Sequence, residues 1–532
     1  MKVGYPLDRG RLVAMALSFA AALVIGAPTL ILPFGRDQSI HAVIAREALD
    51  GAVLYRDIFN VKPPLTTGVH ALAQVLFGET VAAIRVMDIL IGGLTAVILA
   101  WLFGRHSKLA LSGLFAGISF AALYFRADHW NTAQTDGWTC LFMSGAVLAY
   151  SLSLDRKAAV RVGFLAFSGM LVAAAFWLKY TTALVLLVFP VSHLFLGIRL
   201  SRAMKDAGAL TLGAAAGVAA GLVWMAASGG LGAFIDTMIF LEGYVALRAD
   251  LTRMLGESFV FNIFFSSPLI AWVSLGGLAL VLPRLPRHIG VPTVIWLVAA
   301  WLSGVIQGKG FSYQYLPTLA PLALLAGMML TVIAVRLHQR VSRRVQIAVA
   351  LSLSVLFVQA HSALRLWPEV MTVWLEGEPA KAAFWSRPEF NHTDYFVLSD
   401  IRLARYIENE TLDCEEVFIW GYNPGVYFYA DRRFPSRFLY SYPMVASGYR
   451  QSFREELVEA LLSDPPVIFA VQHGDATPHV MGHALSSNET FEEFQALSGF
   501  VRGEYVPIGR IGMFDVYMRE GIMPLDSRSC PV

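Results

Sequence analysis

The residues that could do chemistry sit at the ends of apolar stretches. Asp37 lies in Gly35-Arg36-Asp37-Gln38-Ser39, just after the first apolar run. Asp57 and Lys62 end the same loop, in Tyr55-Arg56-Asp57-Ile58-Phe59-Asn60-Val61-Lys62-Pro63-Pro64-Leu65. Asp136 opens a later run within Gln134-Thr135-Asp136-Gly137, and Lys179 separates two others. Lys309, Tyr313 and Tyr315 fall in Gly308-Lys309-Gly310-Phe311-Ser312-Tyr313-Gln314-Tyr315-Leu316-Pro317. Charged groups at a membrane boundary are costly unless they are wet, paired or used. Lys and Tyr can hold a phosphate by charge and hydrogen bond. A carboxylate can take the proton of an attacking hydroxyl. It could instead bind a divalent cation such as Mg or Mn that neutralises a leaving phosphate. The set suits a reaction between a lipid phosphate and a polar acceptor.

Each residue also has a plainer role open to it. Asp37 and Asp136 stand at helix starts, where a carboxylate satisfies free backbone N–H groups. Asp57 can pair with Arg56 or Lys62. Lys179 and Lys309 can snorkel to the interface, and Tyr313 and Tyr315 can be belt aromatics. Asp128-His129 is either a metal-binding pair or a wet loop, and His41 and His70 are within reach of the first loop. Pro63-Pro64 stiffens that loop's exit and keeps Lys62 extended.

The elements that must position these residues follow from composition. The chain has 532 residues, 56% hydrophobic and 15% charged, against about 25% charged in soluble domains. That is the balance of a polytopic helical membrane protein. A net charge of +2 with no basic block gives no sign of a nucleic-acid partner. Three cysteines are too few for a disulfide framework. Cys140 falls in an apolar run, while Cys414 and Cys530 are either paired or free thiols.

Runs of about 20 apolar residues predict spans at 12–33, 82–103, 109–125, 137–154, 162–178, 180–198, 207–228, 261–282, 289–306, 313–335 and 345–366, about eleven in all. The stretch 64–78 is apolar but short, as in an interfacial or re-entrant helix. Alternate loops are basic, at Arg105–Lys108, Arg156–Arg161, Arg199–Lys205, Arg284–Arg287 and Arg336–Arg344. The positive-inside rule puts them in the cytoplasm. The loop 34–81, the candidate acids and the C-terminal region then lie outside. From about 367 the spans give way to a predicted α/β domain, 367–532, with strands near 417–420, 466–471 and 513–517 and a helix over 455–462. There is no P-loop and no Gly-x-Gly-x-x-Gly after a strand. An enzyme working on the outer face needs an activated donor already in the membrane.

Asp37, then Gly51-Ala52-Val53-Leu54-Tyr55-Arg56-Asp57-Ile58-Phe59 and Lys62-Pro63-Pro64-Leu65, resembles the opening of the GT-C type polyprenyl-phosphate-sugar-dependent glycosyltransferases, the relatives of protein O-mannosyltransferase and of the lipid A aminoarabinose transferase. Phe77-Gly78 with Ala83-Ile84-Arg85, Thr135-Asp136-Gly137, and Tyr313-Gln314-Tyr315-Leu316-Pro317 are similar to further stretches of that family. The resemblance covers roughly 1–335. It implies a GT-C-like membrane domain over 1–366 and an inverting transfer of one sugar from a polyprenyl phosphate to a lipid, polysaccharide or protein, at the periplasmic face of a cell inner membrane. Asp37 then corresponds to the first-loop acid, as base or acceptor ligand, and Asp136 to the second. Lys62 and Tyr315 correspond to residues that hold the lipid phosphate. Two departures stand out. Gln38 replaces a common Glu and removes a carboxylate. Ile40 stands where some members have Arg, so that phosphate contact would fall to Lys179 or Lys309. The competing readings are a transporter or flippase with a regulatory outer domain and a receptor-like assembly protein. Transporters place charge near mid-span, whereas here the acids cluster at outer ends, which favours an enzyme.

Overall fold

The computed structural model of the protein describes residues 6–107, 109, 112–250, 252, 254, 268–281, 287–392 and 394–530. In chain order the first helices are α1 (Arg9–Gly26), α2 (Arg36–Leu49), α3 (Pro64–Phe77), α4 (Val81–Gly104), α5 (Ser112–Tyr124), α6 (Thr135–Ser153) and α7 (Ala158–Leu178). Then come α8 (Val188–Phe195), α9 (Leu200–Ala227), α10 (Leu231–Ala246), α11 (Pro268–Gly276), α12 (Arg287–Gln307), α13 (Leu319–Arg340) and α14 (Arg343–Ala360).

Among the described residues, seven helical segments are long and apolar enough to cross a membrane: Arg9–Ile31, Val81–Gly104, Ala158–Leu178, Leu200–Ala227, Arg287–Gln307, Ser312–Arg340 and Arg343–Ala360. Shorter apolar helices cover Ser112–Tyr124, Tyr180–Phe195 and Ile270–Leu280. The expected span 137–154 is the buried helix α6, and the expected span 261–282 lies partly outside the described residues. The N-terminal segment and two of the loops expected on its side meet one another. Arg11 donates to the carbonyls of Gly104 (2.9 Å) and Ser107 (2.8 Å), and Arg105 bridges to Asp155.

Close packing in the bundle depends on missing side chains. Gly213, Gly217 and Gly221 fall on one stripe of α9 and let it lie against α7. A Cβ on Gly213 would sit 1.9 Å from the Ala166 carbonyl, and one on Gly221 2.4 Å from the Trp177 ring. Small residues at four-residue spacing are how helices approach closely where lipid supplies no hydrophobic drive.

The segment 34–81, read from the sequence as a long loop, folds into α2 and α3. Only 64–78 carried a helical signal; α2 is too polar to read as a span and too short to stand alone. It is held by the C-terminal unit. Likewise α10 forms within the expected loop 229–260.

The C-terminal unit is α/β. A two-residue ladder pairs β1 (Asn391–His392) with β2 (Tyr395–Phe396). The main sheet has the order β3-β4-β6-β5, from β3 (Val417–Trp420), β4 (Ile468–Gln472), β5 (Tyr505–Ile511) and β6 (Phe514–Arg519). β3 and β4 are parallel and the rest antiparallel. Three of the four strands were expected. β5 was not, because it is largely solvent-exposed and broken by a bulge between Pro507 and Gly509. Helices Val397–Glu410 and Gln451–Ser463 flank the sheet.

One hydrophobic core joins this unit to the first loop. Ile40, Val43 and Ile44 of α2, with Tyr55 and Phe59, pack with Phe234 and Phe240 of α10 and with Trp420, Tyr427, Phe438 and Phe453. The Phe59 ring lies 5.7 Å from Phe240, 5.6 Å from Phe438 and 5.9 Å from Phe453. Burying each such ring stabilises by about 1.5–3 kcal/mol. Cys414 and Cys530 are bonded, with Cα atoms 5.8 Å apart, and Arg528 pairs with Glu415 beside them at 2.8 Å. Cys140 is free and buried.

Candidate active site

Between the bundle and the α/β unit lies a cavity of about 690 Å³. Asp37, Lys62, Lys179 and Tyr313 line it, with Arg36, His41, Gln307 and the domain residues Tyr422, Tyr440, Tyr442 and Thr477. Ile40, Val61, Leu241, Val245 and Ile306 give it an apolar flank.

Asp37 stands in the first turn of α2, where free N–H groups favour a negative side chain. Its Oδ2 lies 3.8 Å from the Lys62 ammonium and accepts no hydrogen bond. Lys62 is fixed by its backbone. Its N–H donates to Asn60 Oδ1 (2.9 Å) and its carbonyl accepts from the Tyr55 hydroxyl (2.8 Å). Tyr55 adopts a left-handed conformation (φ 71°) to reach it, which costs a non-glycine residue about 1–3 kcal/mol. Pro63 then prevents the chain from relaxing.

Asp136 occupies the first turn of α6. It is fully buried and faces Lys179 at 3.1 Å, while the Gln307 amide donates to its Oδ1 at 3.2 Å. Lys179, not Asp136, reaches the cavity wall. The two ion pairs thus bring Lys62, Lys179 and the Asp37 carboxylate to one space, whose lining also includes Arg36, Asp128 and Asp394.

Of the remaining sequence candidates, Asp128 also lines the cavity, while Asp57, Tyr315, Lys309 and His129 stand elsewhere. Asp57 pairs with Arg56 at 2.7 Å on the exposed side of its turn and accepts from the Val53 N–H. Tyr315 is buried against Gly304. Lys309 donates to the carbonyls of Tyr244 (2.7 Å), Leu247 and His479 (3.5 Å). Burial pushes its ammonium down to about 8. Asp57, Tyr315 and Lys309 do not line the cavity. Asp128 ties down its own loop, accepting from the Trp130 and Asn131 N–H groups, while His129 packs among Trp130, Phe390 and Tyr395.

Two residues carry weight that the sequence did not reveal. Gln38, whose neutral side chain looked like a lost ligand, is a strut. Its Oε1 accepts from the Gly35 N–H, and its Nε2 donates to the carbonyls of His129 (2.9 Å) and Thr132 (2.7 Å). Only an amide can accept once and donate twice there. The Arg36 guanidinium lies 4.7 Å from the Tyr422 ring centre and 5.6 Å from that of Tyr395, pairs with Asp394 at 3.5 Å and donates to Asn423 at 3.1 Å. Its position beside Asp37 was the one available signal.

Among the described residues no three His, Cys, Asp or Glu side chains converge on a point. The ion-pair partner of Asp37 is Lys62, and tyrosines stand around it in the cavity lining. This donor set does not fit a divalent ion at Asp37, and Lys62 already supplies positive charge there.

Fold and cavity together describe a polytopic helical membrane protein with an α/β domain over a charged cavity. Among solved structures the chain is similar to ArnT from Cupriavidus metallidurans bound to undecaprenyl phosphate, with a TM-score of 0.60 at 15% identity over 96% of this chain and 98% of that one. The apo state of the same protein matches with a TM-score of 0.54 at 14% identity, over 94% and 97%. A comparison of the sequence with protein-family models and with curated proteins finds no match.

Proposed function

We propose that this protein is an inverting glycosyltransferase that moves one sugar from a polyprenyl phosphate to a lipid, polysaccharide or protein acceptor on the periplasmic face of an inner membrane. The observation that carries the proposal is the meeting of Asp37, Lys62 and Lys179 in one cavity with an apolar flank. The solved structure with the same fold holds undecaprenyl phosphate, which is the chemistry such a cavity suits. In this reading the unit 1–366 carries the reaction and the domain 367–532 covers it.

The acceptor hydroxyl oxygen attacks the anomeric carbon and forms the new glycosidic bond. The bond from that carbon to the phosphate oxygen breaks, and the electron pair leaves with the polyprenyl phosphate. Asp37 takes the hydroxyl proton as the bond forms. Lys62 and Lys179 offset the charge on the departing phosphate. Asp136 and Gln307 keep Lys179 aimed at the cavity.

The test is release of polyprenyl phosphate from radiolabelled polyprenyl-phosphate sugars by the purified protein, wild type beside Asp37→Asn. A fall of about 10²–10⁴-fold in the variant is expected, with both forms melting alike. Equal release by the two would remove Asp37 from the chemistry.

A further inference from the structure

The wall of the cavity opposite the bundle is aromatic, and the reaction steps do not use it. Tyr422, Tyr440 and Tyr442 come from the short stretch after β3, so the α/β unit supplies all three. Tyr440 and Tyr442 lie 6.3 Å apart at an interplanar angle of 29°, and Tyr422 lies 6.0 Å from Tyr442 at the same angle. Tyr244 of α10 meets Tyr442 edge-on at 6.1 Å. The Arg36 guanidinium lies 4.7 Å from the Tyr422 ring centre and lines the same cavity. Thr477 completes the wall. It is buried, and its hydroxyl oxygen has no hydrogen-bond partner.

Tyr422 and Tyr440 lie 5.8 Å apart and tilted by 54°, with Tyr442 at 29° to each, and such rings offer flat apolar faces with polar tips. A saccharide ring matches this surface, with one face of C–H groups and a rim of hydroxyls. The unpartnered Thr477 hydroxyl and the phenol groups would meet such a rim. Burial holds the phenols of Tyr422, Tyr440 and Tyr442 above their ordinary range, so each stays a neutral donor. A volume of about 690 Å³ falls within the roughly 300–1,000 Å³ of small-molecule sites. A peptide acceptor would be held best by pairing with a strand edge. No strand residue lines the cavity among those described. The β3 edge is also taken, with its N–H groups donating to the Arg433 carbonyl and the Tyr427 hydroxyl.

Resting on the transferase reading above, we propose that Tyr422, Tyr440, Tyr442 and Thr477 form the acceptor subsite, and that the acceptor presents a saccharide ring rather than a polypeptide. The α/β domain therefore selects the acceptor, while the bundle and first loop hold the donor.

The test uses the full chain in nanodiscs and saturation-transfer NMR with a panel of methyl glycosides (gluco, galacto, manno and N-acetylglucosamine forms), beside a Ser/Thr-rich peptide. Transfer from protein aromatic protons to the C–H face of at least one glycoside is expected. Tyr442→Ala and Tyr422→Ala should weaken binding by about tenfold each, while Tyr442→Phe, which keeps the ring and guards against a folding artefact, should bind within about threefold of wild type. Binding of the peptide without any glycoside, binding of neither, or glycoside binding indifferent to the tyrosines would each overturn the assignment. Donor release is measured on the same samples. Glycoside binding without any Asp37-dependent release would sink the transferase reading and leave a saccharide-binding site with no acceptor role. Asp37-dependent release without glycoside binding would sink the subsite and leave the transferase reading standing.

Discussion

Single residues in this protein are tuned by what they accept and donate. Gln38 is the clearest case, since its amide accepts from Gly35 and donates to two carbonyls of the 129–132 segment. Gln38→Glu would aim a carboxylate at those carbonyls, at a cost of about 1–3 kcal/mol or more. The variant should melt lower and release donor more slowly than wild type, and Gln38→Met, which adds no charge, should suffer less. A melting curve of each purified form, beside the release assay, decides it. Asp400 makes a second case. Its carboxyl is buried, with Oδ1 accepting from Asn423 and Oδ2 unpartnered. Burial, opposed by Asn423 and Arg36, holds its pKa well above the carboxylate range. The folded state therefore keeps a proton that the unfolded chain releases near 3.9. Its contribution to stability is full below that value and is lost as pH rises through the folded pKa. Asp400→Asn should thus gain on wild type in melting temperature between pH 4 and pH 8. A constant gap across that range would show that Asp400 does not titrate on folding.

At the scale of elements, α7 and α9 meet through glycine rather than through interlocking large side chains. Gly213→Leu would drive a side chain into the Ala166 carbonyl. Overpacking of this kind costs about 1–3 kcal/mol. Gly208 is the control, because a Cβ there meets nothing within 4 Å. Gly213→Leu should lower the melting temperature in detergent, and Gly208→Leu should leave it near wild type. Leu is the better helix former, so propensity alone would stabilise both variants, and matching losses in the two would show that the cost does not come from the contact with α7. The same scale explains α2. Its buried face is completed by residues that lie hundreds of positions later, so its own stretch carried too little apolar periodicity to be seen as a helix.

Across the whole molecule, the α/β unit is not a pendant. Phe59 N–H donates to the Arg437 carbonyl at 2.8 Å, and Arg46 of α2 donates to the carbonyls of Tyr427 and Arg432. The Cys414–Cys530 bond spans 116 positions and fastens the chain's last residues to the approach to β3. In the chain-entropy account a loop of that length is worth about 4–5 kcal/mol. Cys530→Ser should lower the melting temperature markedly, and reductant should bring wild type down to the variant while leaving the variant unmoved. An unchanged melt in Cys530→Ser would mean that the contacts of Arg528 with Glu415 and with the Glu410 carbonyl hold this segment without the disulfide.

The sequence by itself determined what depends on local composition. Long apolar runs specify helices in a membrane because each can satisfy its own backbone there. The short apolar runs at 417–420 and 466–471 marked buried strands. Asp37 and Lys62 stood out because charge is conspicuous beside such runs. Tertiary structure alone decided which of those charges share a space. Asp37, Lys62 and Lys179 converge on the cavity, while Asp57 turns to Arg56 and Lys309 to backbone carbonyls. It also decided the roles of Gln38 and Arg36, the union of Cys414 with Cys530, and the tyrosine wall. The reason is physical. Spacing along a chain fixes which residues share one face of one element, whereas meetings between elements depend on how their faces pack, and no local pattern encodes that.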